Sequence, residues 1–425
     1  MKKYFFGLLL FIWGCDKPSN MDTPDKNYFL KYYGQDGNQT AVDLIANADG
    51  TFFILGNSKR LSSDTLSIYL AKANALGEML WQKTYAYNNS LQTEARDFEL
   101  TSDGKLAVVA NTTSNGDTDI LLARFTLDGT FADETILQID QQLAPSPVNE
   151  YANSVTELYN GGFIVTGYTD FVSNPNNQYS ALHLRTNSSL QQLHEDTDHW
   201  RETTYPGTTN IGVKAFQTIT DTSYIFGYSN ALNTNLSFWT FGMTPNGYLP
   251  SSDDPTEFIN ATANDYLTNV IKAPQGYLMS GVSVGTSGTM SLKLIKLQYN
   301  DLTFYGSGNP MYNEVQSVYT SSSGSLGKGN VQYATACNSS SGYFALTNIY
   351  TSNGTSDLLL MKFNYSLQPI WTNPVQLGGN GNDTSAAVAE LPDGHIIVLG
   401  TINVGTGETT KIALMKLNAN GQLTE

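Results

Sequence analysis

A short apolar segment that ends at or near a glycine recurs seven times along this chain of 425 residues. The mean spacing is about 57 residues, and a steady period of this length is typical of repeat folds, which grow as one body. The sequence therefore predicts one repetitive domain rather than the two or three domains that this length would otherwise suggest. The seven segments end at Gly56, Ala110, Gly167, Gly227, Gly281, Thr347 and Gly400.

Each repeat contains three further segments. A half-apolar segment comes first, and it is often joined to the recurrent one by Asp-Gly or Asn-Gly, the strongest short-range signal of a β-hairpin with a type I′ turn. A third segment alternates partly at period two, and a fourth is clearest at 80–85. Four strands and three hairpins predict a propeller blade, so we expect 28–425 to form an all-β, seven-bladed β-propeller with four antiparallel strands per blade. The turn pairs are Asp49-Gly50, Asp103-Gly104, Asn160-Gly161 and Asp393-Gly394.

The two ends of the chain complement each other. The last repeat stops near Gly421, directly after its third strand, and a strand-like segment at 28–33 precedes the first repeat. We expect this N-terminal strand to complete the last blade and close the ring, with Phe29 antiparallel to the strand near Leu414. Closure would leave no exposed strand edge.

The composition argues against a nucleic-acid partner and favours a fold built from strands. The formal net charge of −16 repels phosphate backbones, so nucleic acid is not an expected partner. Charged residues make up only 14% of the chain, whereas there are 25 tyrosines, which fit the half-buried surface of strands. Beyond the N-terminus no apolar run of about 18 residues occurs, which excludes a protein with many membrane spans.

The N-terminal segment has the pattern of an export signal. A basic pair, Lys2 and Lys3, precedes an apolar stretch of about ten residues, which is too short to span a bilayer and suits a signal peptide. The stretch ends in 12–15, Ile-Trp-Gly-Cys, which resembles the lipobox of bacterial lipoproteins and implies acylation of Cys15. We therefore expect a signal peptide at 1–14, a lipid-anchored tether at 15–27, and a location in the cell envelope, at the outer membrane. Ordinary secretion, with Cys15 incidental, is the alternative.

The repeats also resemble a known family. Their turn, apolar segment and following strand are similar to the repeat propellers of bacterial surface lipoproteins, over roughly 28–425. Residues 76–81, Leu-Gly-Glu-Met-Leu-Trp, resemble a quinoprotein blade. Quinoprotein dehydrogenases have eight blades and mostly an adjacent cysteine pair over the cofactor, and this chain has neither. The resemblance therefore implies a fold and no cofactor, and Cys337 is expected to be a small buried hydrophobe.

Loop lengths indicate where a partner would bind. Turns between first and second strands, and between third and fourth strands, are short and share one face of a propeller. Connections on the opposite face, which we call the loop face, are longer, and binding residues concentrate on long loops held by a rigid scaffold. The candidate contacts on the loop face are Tyr168, Asp170, Phe171, Tyr179, Tyr205, Tyr228 and Tyr350. The alternative for Tyr168 and Tyr228 is packing between blades, which is also the expected role of Trp81, Trp200 and Trp371.

Other motifs carry weaker signals. Residues 194–199 contain metal-capable side chains, and 115–119 resemble part of a calcium loop, but solvated turns explain both better, so no metal is expected. Residues 378–381, Gly-Gly-Asn-Gly, have no strand–helix context for a phosphate. Asp64-Thr65-Leu66 resembles a short O-glycosylation acceptor of exported bacterial proteins, which makes Thr65 a weak candidate for modification.

Two function classes remain open. The favoured one is a membrane-anchored, non-catalytic binding or scaffold module, an accessory subunit of an outer-membrane or surface complex, whose partner is a protein or a polysaccharide. The alternative is a propeller enzyme or lectin that acts on glycans. The sequence shows no sialidase-type box and no recognisable nucleophile–base set, and paired carboxylates on separate loops cannot be identified from sequence.

Overall fold

The computed structural model describes most of the repeat region. The described residues are 28–62, 64–114, 116–139, 148–171, 178–193, 200–201, 209–217, 223–230, 235–243, 256–258, 262–274, 276–299, 312–319, 333–405 and 409–424. Cys15, Tyr205 and residues 194–199 lie outside this set, as does the whole N-terminal segment 1–27.

The described part of the chain is built from strands, with one short 3-10 helix at Tyr87–Asn89. No helix within it is long and apolar enough to cross a membrane. In chain order the strands are β1 (Phe29–Tyr33), β2 (Asn38–Ala46), β3 (Phe52–Lys59), β4 (Leu66–Ala73), β5 (Met79–Tyr85), β6 (Gln92–Leu100), β7 (Lys105–Ser114), β8 (Asp117–Thr126), β9 (Phe131–Leu137), β10 (Glu150–Glu157), β11 (Phe163–Thr169), β12 (Ser180–Thr186), β13 (Trp200–Arg201), β14 (Asn210–Gln217), β15 (Ser223–Ser229), β16 (Ser237–Met243), β17 (Thr256–Phe258), β18 (Ala263–Ala273), β19 (Gly276–Gly285), β20 (Met290–Tyr299), β21 (Tyr312–Tyr319), β22 (Ala334–Ser339), β23 (Gly342–Tyr350), β24 (Ser356–Asn364), β25 (Val375–Leu377), β26 (Thr384–Glu390), β27 (Ile396–Asn403) and β28 (Thr410–Leu417).

Consecutive strands pair antiparallel in groups of four. Groups 1 to 6 are β2–β5, β6–β9, β10–β13, β14–β17, β18–β21 and β22–β25, and groups 1 and 2 are joined by one parallel bridge between Leu66 and Gln92. Group 7 consists of β26–β28 and the N-terminal strand β1, which pairs antiparallel with β28. The register places Lys31 opposite Leu414 and Phe29 opposite Lys416, two residues from the position that the sequence predicted.

The tight turns differ in type from the sequence prediction. A type I′ turn needs positive φ at two central residues, but in the turn after β2 only Gly50 has positive φ, at 80°. The backbone N–H of Gly50 donates to Asn47 O at 2.9 Å, so the turn is a four-residue loop with a left-handed glycine at its end. Gly104, Gly161 and Gly394 close equivalent turns, with φ of 76°, 78° and 83°.

The recurrent glycine has a structural cause. It lies on the second strand of a group, opposite a first-strand residue that is followed by a β-bulge, as Ala152 is opposite Gly167. The bulge brings a first-strand carbonyl so close that a Cβ at Gly167 would lie 1.8 Å from Tyr151 O. A side chain at Gly167 would therefore require a shift of the backbone, and in group 2 Ala110 takes the equivalent position.

Apolar clusters lie between neighbouring groups. Seven such clusters occur among the described residues, and each joins one pair of groups. One of them joins group 7 to group 1, where Leu399 and Ile412 pack with Phe52 and Ile54. First strands of successive groups contact each other, and β26 likewise contacts β2. This packing surrounds the cavity described next.

Candidate functional site

A cavity of about 450 Å³ lies among the first strands. Its lining comes from β2, β6, β10, β14, β18, β22 and β26, in each case from the half of the strand that leads to the tight turn. Tyr159, in the turn after β10, also lines it and is 63% exposed, so the cavity opens on the tight-turn face. Its volume falls in the range of small-molecule sites, about 300–1,000 Å³.

Three charged side chains from different repeats meet deep in this cavity. Asp43, Asp97 and Lys214 occupy the same position in β2, β6 and β14, directly after the bulge. The bulge aims this residue at the centre, so the repeat itself brings the three together. The ammonium of Lys214 lies 2.6 Å from Asp97 Oδ2, and the N–H of Val155 donates to the same oxygen at 2.9 Å.

Burial changes the acid–base chemistry of the cluster. Burial, together with the charge of Asp97 and a hydrogen bond to it, raises the pKa of Asp43 from 3.8 to about 8. Burial opposes the charge of Lys214, but the Asp97 carboxylate outweighs it and the pKa of Lys214 lies above its ordinary value. Near neutral pH, Asp97 and Lys214 therefore form an ion pair, while Asp43 is largely protonated and donates to Asp97.

A third acidic group, Glu99, lies one pleat nearer the opening. Burial raises the pKa of Glu99, although the N–H of Glu157 donates to Glu99 Oε2 at 2.8 Å and favours its charged form. Glu157 itself holds the turn of group 2, where it accepts from Ser102 N at 2.7 Å. Among the described residues, neither Asp43 nor Glu99 forms an ion pair. The cavity thus offers more acceptors than its own cations satisfy.

Apolar side chains and a second lysine complete the wall. Phe98 and Phe216 line it, and the ammonium of Lys272 lies 5.6 Å from the Phe216 ring centre. Cys337 also lines the cavity, partly buried as a hydrophobe of β22, and burial raises the pKa of its thiol to about 12, which makes it a poor nucleophile. Such a wall can bind a small polar molecule in a fixed orientation.

The predicted loop-face residues are only partly brought together. Tyr168 stacks on Tyr151, with ring centres 4.8 Å apart and planes inclined by 18°, and meets the ring of Tyr179 edge-on at 5.1 Å. Tyr168 also packs, half-buried, against the core between groups 4 and 5, as Tyr228 does. Tyr168 and Tyr228 thus pack between groups, which is the alternative that the sequence left open for them. Tyr179, in contrast, is 36% exposed.

Asp170 and Phe171 have local structural partners. Asp170 Oδ1 accepts from Asn149 N at 2.8 Å and its Oδ2 accepts from Asn149 Nδ2 at 2.6 Å, which ties the end of β11 to the start of β10. Phe171 is half-buried and packs against the core between groups 2 and 3. Tyr350 ends β23 in group 6, opposite Ser356, apart from the tyrosines of group 3.

The remaining sequence candidates have ordinary surroundings. Trp81 packs on Phe53 with ring centres 6.2 Å apart, and Trp371 on Phe344 at 5.5 Å, so their predicted packing role is confirmed. Thr65 precedes β4 in the connection from β3. In the part of the chain that the structure describes, no three His, Cys, Asp or Glu side chains are placed to hold a metal ion.

The sequence reasoning missed the cavity. Its signal was present in the first segments AVDL, ARDF and VKAF, where a charged residue stands among apolar ones. Aligning these segments on the bulge would have placed Asp43, Asp97 and Lys214 in one column. The bulge is not visible in a single repeat, which is why loop length alone directed attention to the opposite face.

The four-stranded groups and a match to a β-propeller family model support the class of β-propeller repeat proteins. A family described as a domain of unknown function, DUF5122, β-propeller, matches at residues 101–131 and 391–423. A comparison with curated proteins found no match.

Several solved structures are similar in fold. Acylaminoacyl peptidase of Pyrococcus horikoshii matches at 10% identity and a TM-score of 0.45, over 92% of this chain and 54% of its own, so this chain spans about half its length. Drosophila semaphorin 1a, extracellular domains 1–2, matches at 9% identity and a TM-score of 0.48, over 92% and 88%. The periplasmic gluconolactonase of Pseudomonas aeruginosa matches at 12% identity and 0.41, over 80% and 86%.

Proposed function

We propose that this protein is a lipid-anchored, seven-bladed β-propeller of the cell envelope that acts by binding. Each four-stranded group is one blade, and β1 closes the ring by completing the last blade. The pairing of β1 with β28 supports closure, as do the apolar cluster between groups 7 and 1 and the bond from Ala41 N to Thr401 Oγ1 at 2.9 Å. The lipobox-like sequence at 12–15 supports the anchor at Cys15.

The ligand site of this proposal is the central cavity, and its ligand is a small polar molecule that carries an amine. This proposal rests on one observation: Asp43, Asp97 and Lys214 meet in a cavity of about 450 Å³ whose lining contains the carboxylates of Asp43, Asp97, Glu99 and Glu157 but only two lysines, Lys214 and Lys272. Lys214 is already paired with Asp97, so Glu99, and Asp43 once it has lost its proton, remain as acceptors for a positively charged group. Perturbed acid groups in a concave site are a physical indicator of function.

Calorimetric titration with spermidine, at an ionic strength of about 0.15 M to screen surface charges, tests this assignment. We expect saturable binding that strengthens from pH 6 to pH 8.5, since Asp43 must lose its proton to pair with an amine. Asp43→Asn should abolish this pH dependence, whereas Glu78→Gln, on the exposed surface, should bind as the wild type does. Sorbitol and citrate serve as neutral and anionic comparisons, and binding of citrate alone would refute the cationic assignment.

A second candidate function is the capture of a protein partner by the loop face. The observation that favours it is the tyrosine cluster of group 3, where Tyr179 stays exposed on the packed rings of Tyr168 and Tyr151. Rigid, partly exposed tyrosines are enriched among residues that dominate interfaces. Crosslinking in native membranes, followed by comparison of wild type with Tyr179→Ala and with Tyr350→Ala, tests this function. If neither variant reduces the amount of crosslinked protein, this second function is refuted. If the variants lose a bound polysaccharide instead of a protein, the lectin alternative is supported.

A further inference from the structure

A buried polar side chain recurs at the start of the first strands. In each first strand, one residue pairs with the recurrent glycine position of the second strand. The buried polar residue lies two positions before that residue, where the strand meets the preceding group. Burying such a group costs free energy unless it finds a partner, so the partner at each junction is informative. Four of these residues, each at most 3% exposed, are Gln39, Glu150, Asp265 and Asp383.

At two of these junctions the partner is a lysine ammonium. Lys411 of β28 donates to Gln39 Oε1 at 2.7 Å and to the carbonyl oxygen of Gly37 at 3.2 Å. Lys293 of β20, which belongs to the same group as Asp265, forms an ion pair with Asp265 in which both side chains are buried, 3% and 0% exposed. At these two junctions a lysine of the chain therefore satisfies the buried oxygen, from the preceding group in one case and from the same group in the other.

At the junction of groups 6 and 7 a carboxylate stands at the position that Lys411 occupies at the junction of groups 7 and 1. Asp357 of β24 lies opposite Ile349, two residues after the recurrent position Thr347, just as Lys411 lies opposite Ile402, two residues after Gly400. Asp357 is 7% exposed and faces Asp383 of the next group. Two acidic side chains are thus buried together at a position that receives a lysine at the junction of groups 7 and 1.

The oxygens of this pair converge on one small space. Asp357 Oδ2 accepts from Gln376 Nε2 at 2.5 Å, whereas Asp357 Oδ1 is buried without a hydrogen-bond partner. Asp383 Oδ1 accepts from Asn403 N at 2.8 Å, and Asp383 Oδ2 accepts from Gly379 N at 2.6 Å. The site that a Cβ on Gly378 would fill lies 2.4 Å from Asp357 Oδ1 and 2.8 Å from Asp383 Oδ2. Glycine at 378 keeps this space open between the two carboxylates.

We propose that Asp357 and Asp383 bind a calcium ion that joins groups 6 and 7. Calcium takes six to eight oxygen ligands at about 2.3–2.6 Å in flexible geometry, so two carboxylates can be supplemented by carbonyls, amide oxygens and water. The segment 378–382, Gly-Gly-Asn-Gly-Asn, runs beside the pair and is rich in such oxygens. The ion supplies the positive charge that Lys411 supplies at the junction of groups 7 and 1.

Calcium titration of the full-length, chelator-treated protein by calorimetry, with thermal unfolding in parallel, tests this site. We expect one ion per chain and a melting temperature that rises with calcium concentration, because the ion binds the folded state only. Asp357→Asn keeps the size of the side chain and should weaken calcium binding by at least about tenfold. Asp64→Asn, whose carboxylate is 97% exposed, is the matched control and should bind normally.

Asp357→Lys separates the calcium site from a merely structural acid pair. This variant places an ammonium as Lys411 does, so it should melt at or above the calcium-loaded wild type, with no response to calcium. Calcium binding by Asp357→Asn equal to that of the wild type overturns the proposal. So does a wild type without calcium response whose melting temperature rises on acidification, because the two carboxyls then share a proton instead.

Discussion

The residue after the recurrent glycine position connects neighbouring groups. Asn57 accepts from Ala95 N through Oδ1 at 2.7 Å and donates to Ala95 O through Nδ2 at 3.3 Å. In the same way, Asn111 of group 2 accepts from Ala152 N of group 3 at 2.8 Å. The bulge leaves this N–H without a ladder partner, and the amide satisfies it. In groups 3 and 4 the residue after the recurrent glycine is a tyrosine, Tyr168 or Tyr228, and its ring packs against neighbouring groups where an asparagine would form this hydrogen bond.

Asn57→Ala should therefore destabilise the protein by about 1–3 kcal/mol, the cost of a buried donor left without an acceptor. Urea unfolding followed by circular dichroism measures the change. Asn353→Ala, in an exposed turn, serves as the control and should stay within about 0.5 kcal/mol of the wild type. An equal effect of both variants would contradict the bridging role of Asn57.

Asp43 makes stability depend on pH. Its pKa is raised on folding, from 3.8 to about 8, so the folded state holds the proton more tightly than the unfolded state does. The proton on Asp43 therefore stabilises the folded state fully below pH 4, and this stabilisation is lost as the pH rises through about 8. Asp43→Asn removes this loss, so at pH 8.5 the free energy of unfolding of the variant should exceed that of the wild type by several kcal/mol, and at pH 4 the difference should shrink. Urea unfolding across this range checks it, and a constant difference at all pH values would refute it.

At the scale of the element, β1 is the part of the fold most distant from its partners in sequence. It pairs along its whole length with β28, and the hydroxyl of Tyr33, which is 4% exposed, donates to Gly77 O at 2.6 Å in group 1. The strand therefore connects groups 7 and 1.

Deleting 28–33 exposes the edge of β28 and removes the buried ring of Tyr33. The loss should amount to several kcal/mol, because backbone bonds and apolar contacts disappear together. Tyr33→Phe keeps the strand and the ring and should cost only about 1 kcal/mol for the lost hydrogen bond. Differential scanning calorimetry compares the two, and an unchanged melting temperature in the deletion would contradict closure by β1.

At the scale of the whole molecule, the proposed anchor would hold the protein at a membrane. Cys15→Ala should move the protein from the membrane pellet to the soluble fraction of its native envelope, since acyl chains supply the stable attachment. Immunoblotting of fractionated cells measures this, with Cys337→Ala as the matched cysteine control. If Cys15→Ala remains in the pellet as the wild type does, attachment has another cause.

Local patterns were sufficient to predict the strands and their grouping. A turn glycine such as Gly50 and a run such as FFILG mark a strand by chemistry within about ten residues, and repetition multiplies a weak signal. The prediction of four strands per unit, and of pairing between 28–33 and the last strand, followed from where the pattern begins and ends. The turn type did not follow, because Asp49 and Gly50 suit both a two-residue and a four-residue loop.

The candidate site depended on neighbours that lie far apart in sequence. Asp97 and Lys214 are more than a hundred residues apart, and only the bulges of their strands turn both toward one cavity. Tyr168 reads as an exposed loop aromatic in sequence, yet the adjacent groups cover it. Sequence by itself determined the repeat, because hairpins are local. Tertiary structure alone decided which side chains meet at the centre, because burial and charge pairing depend on distances through space.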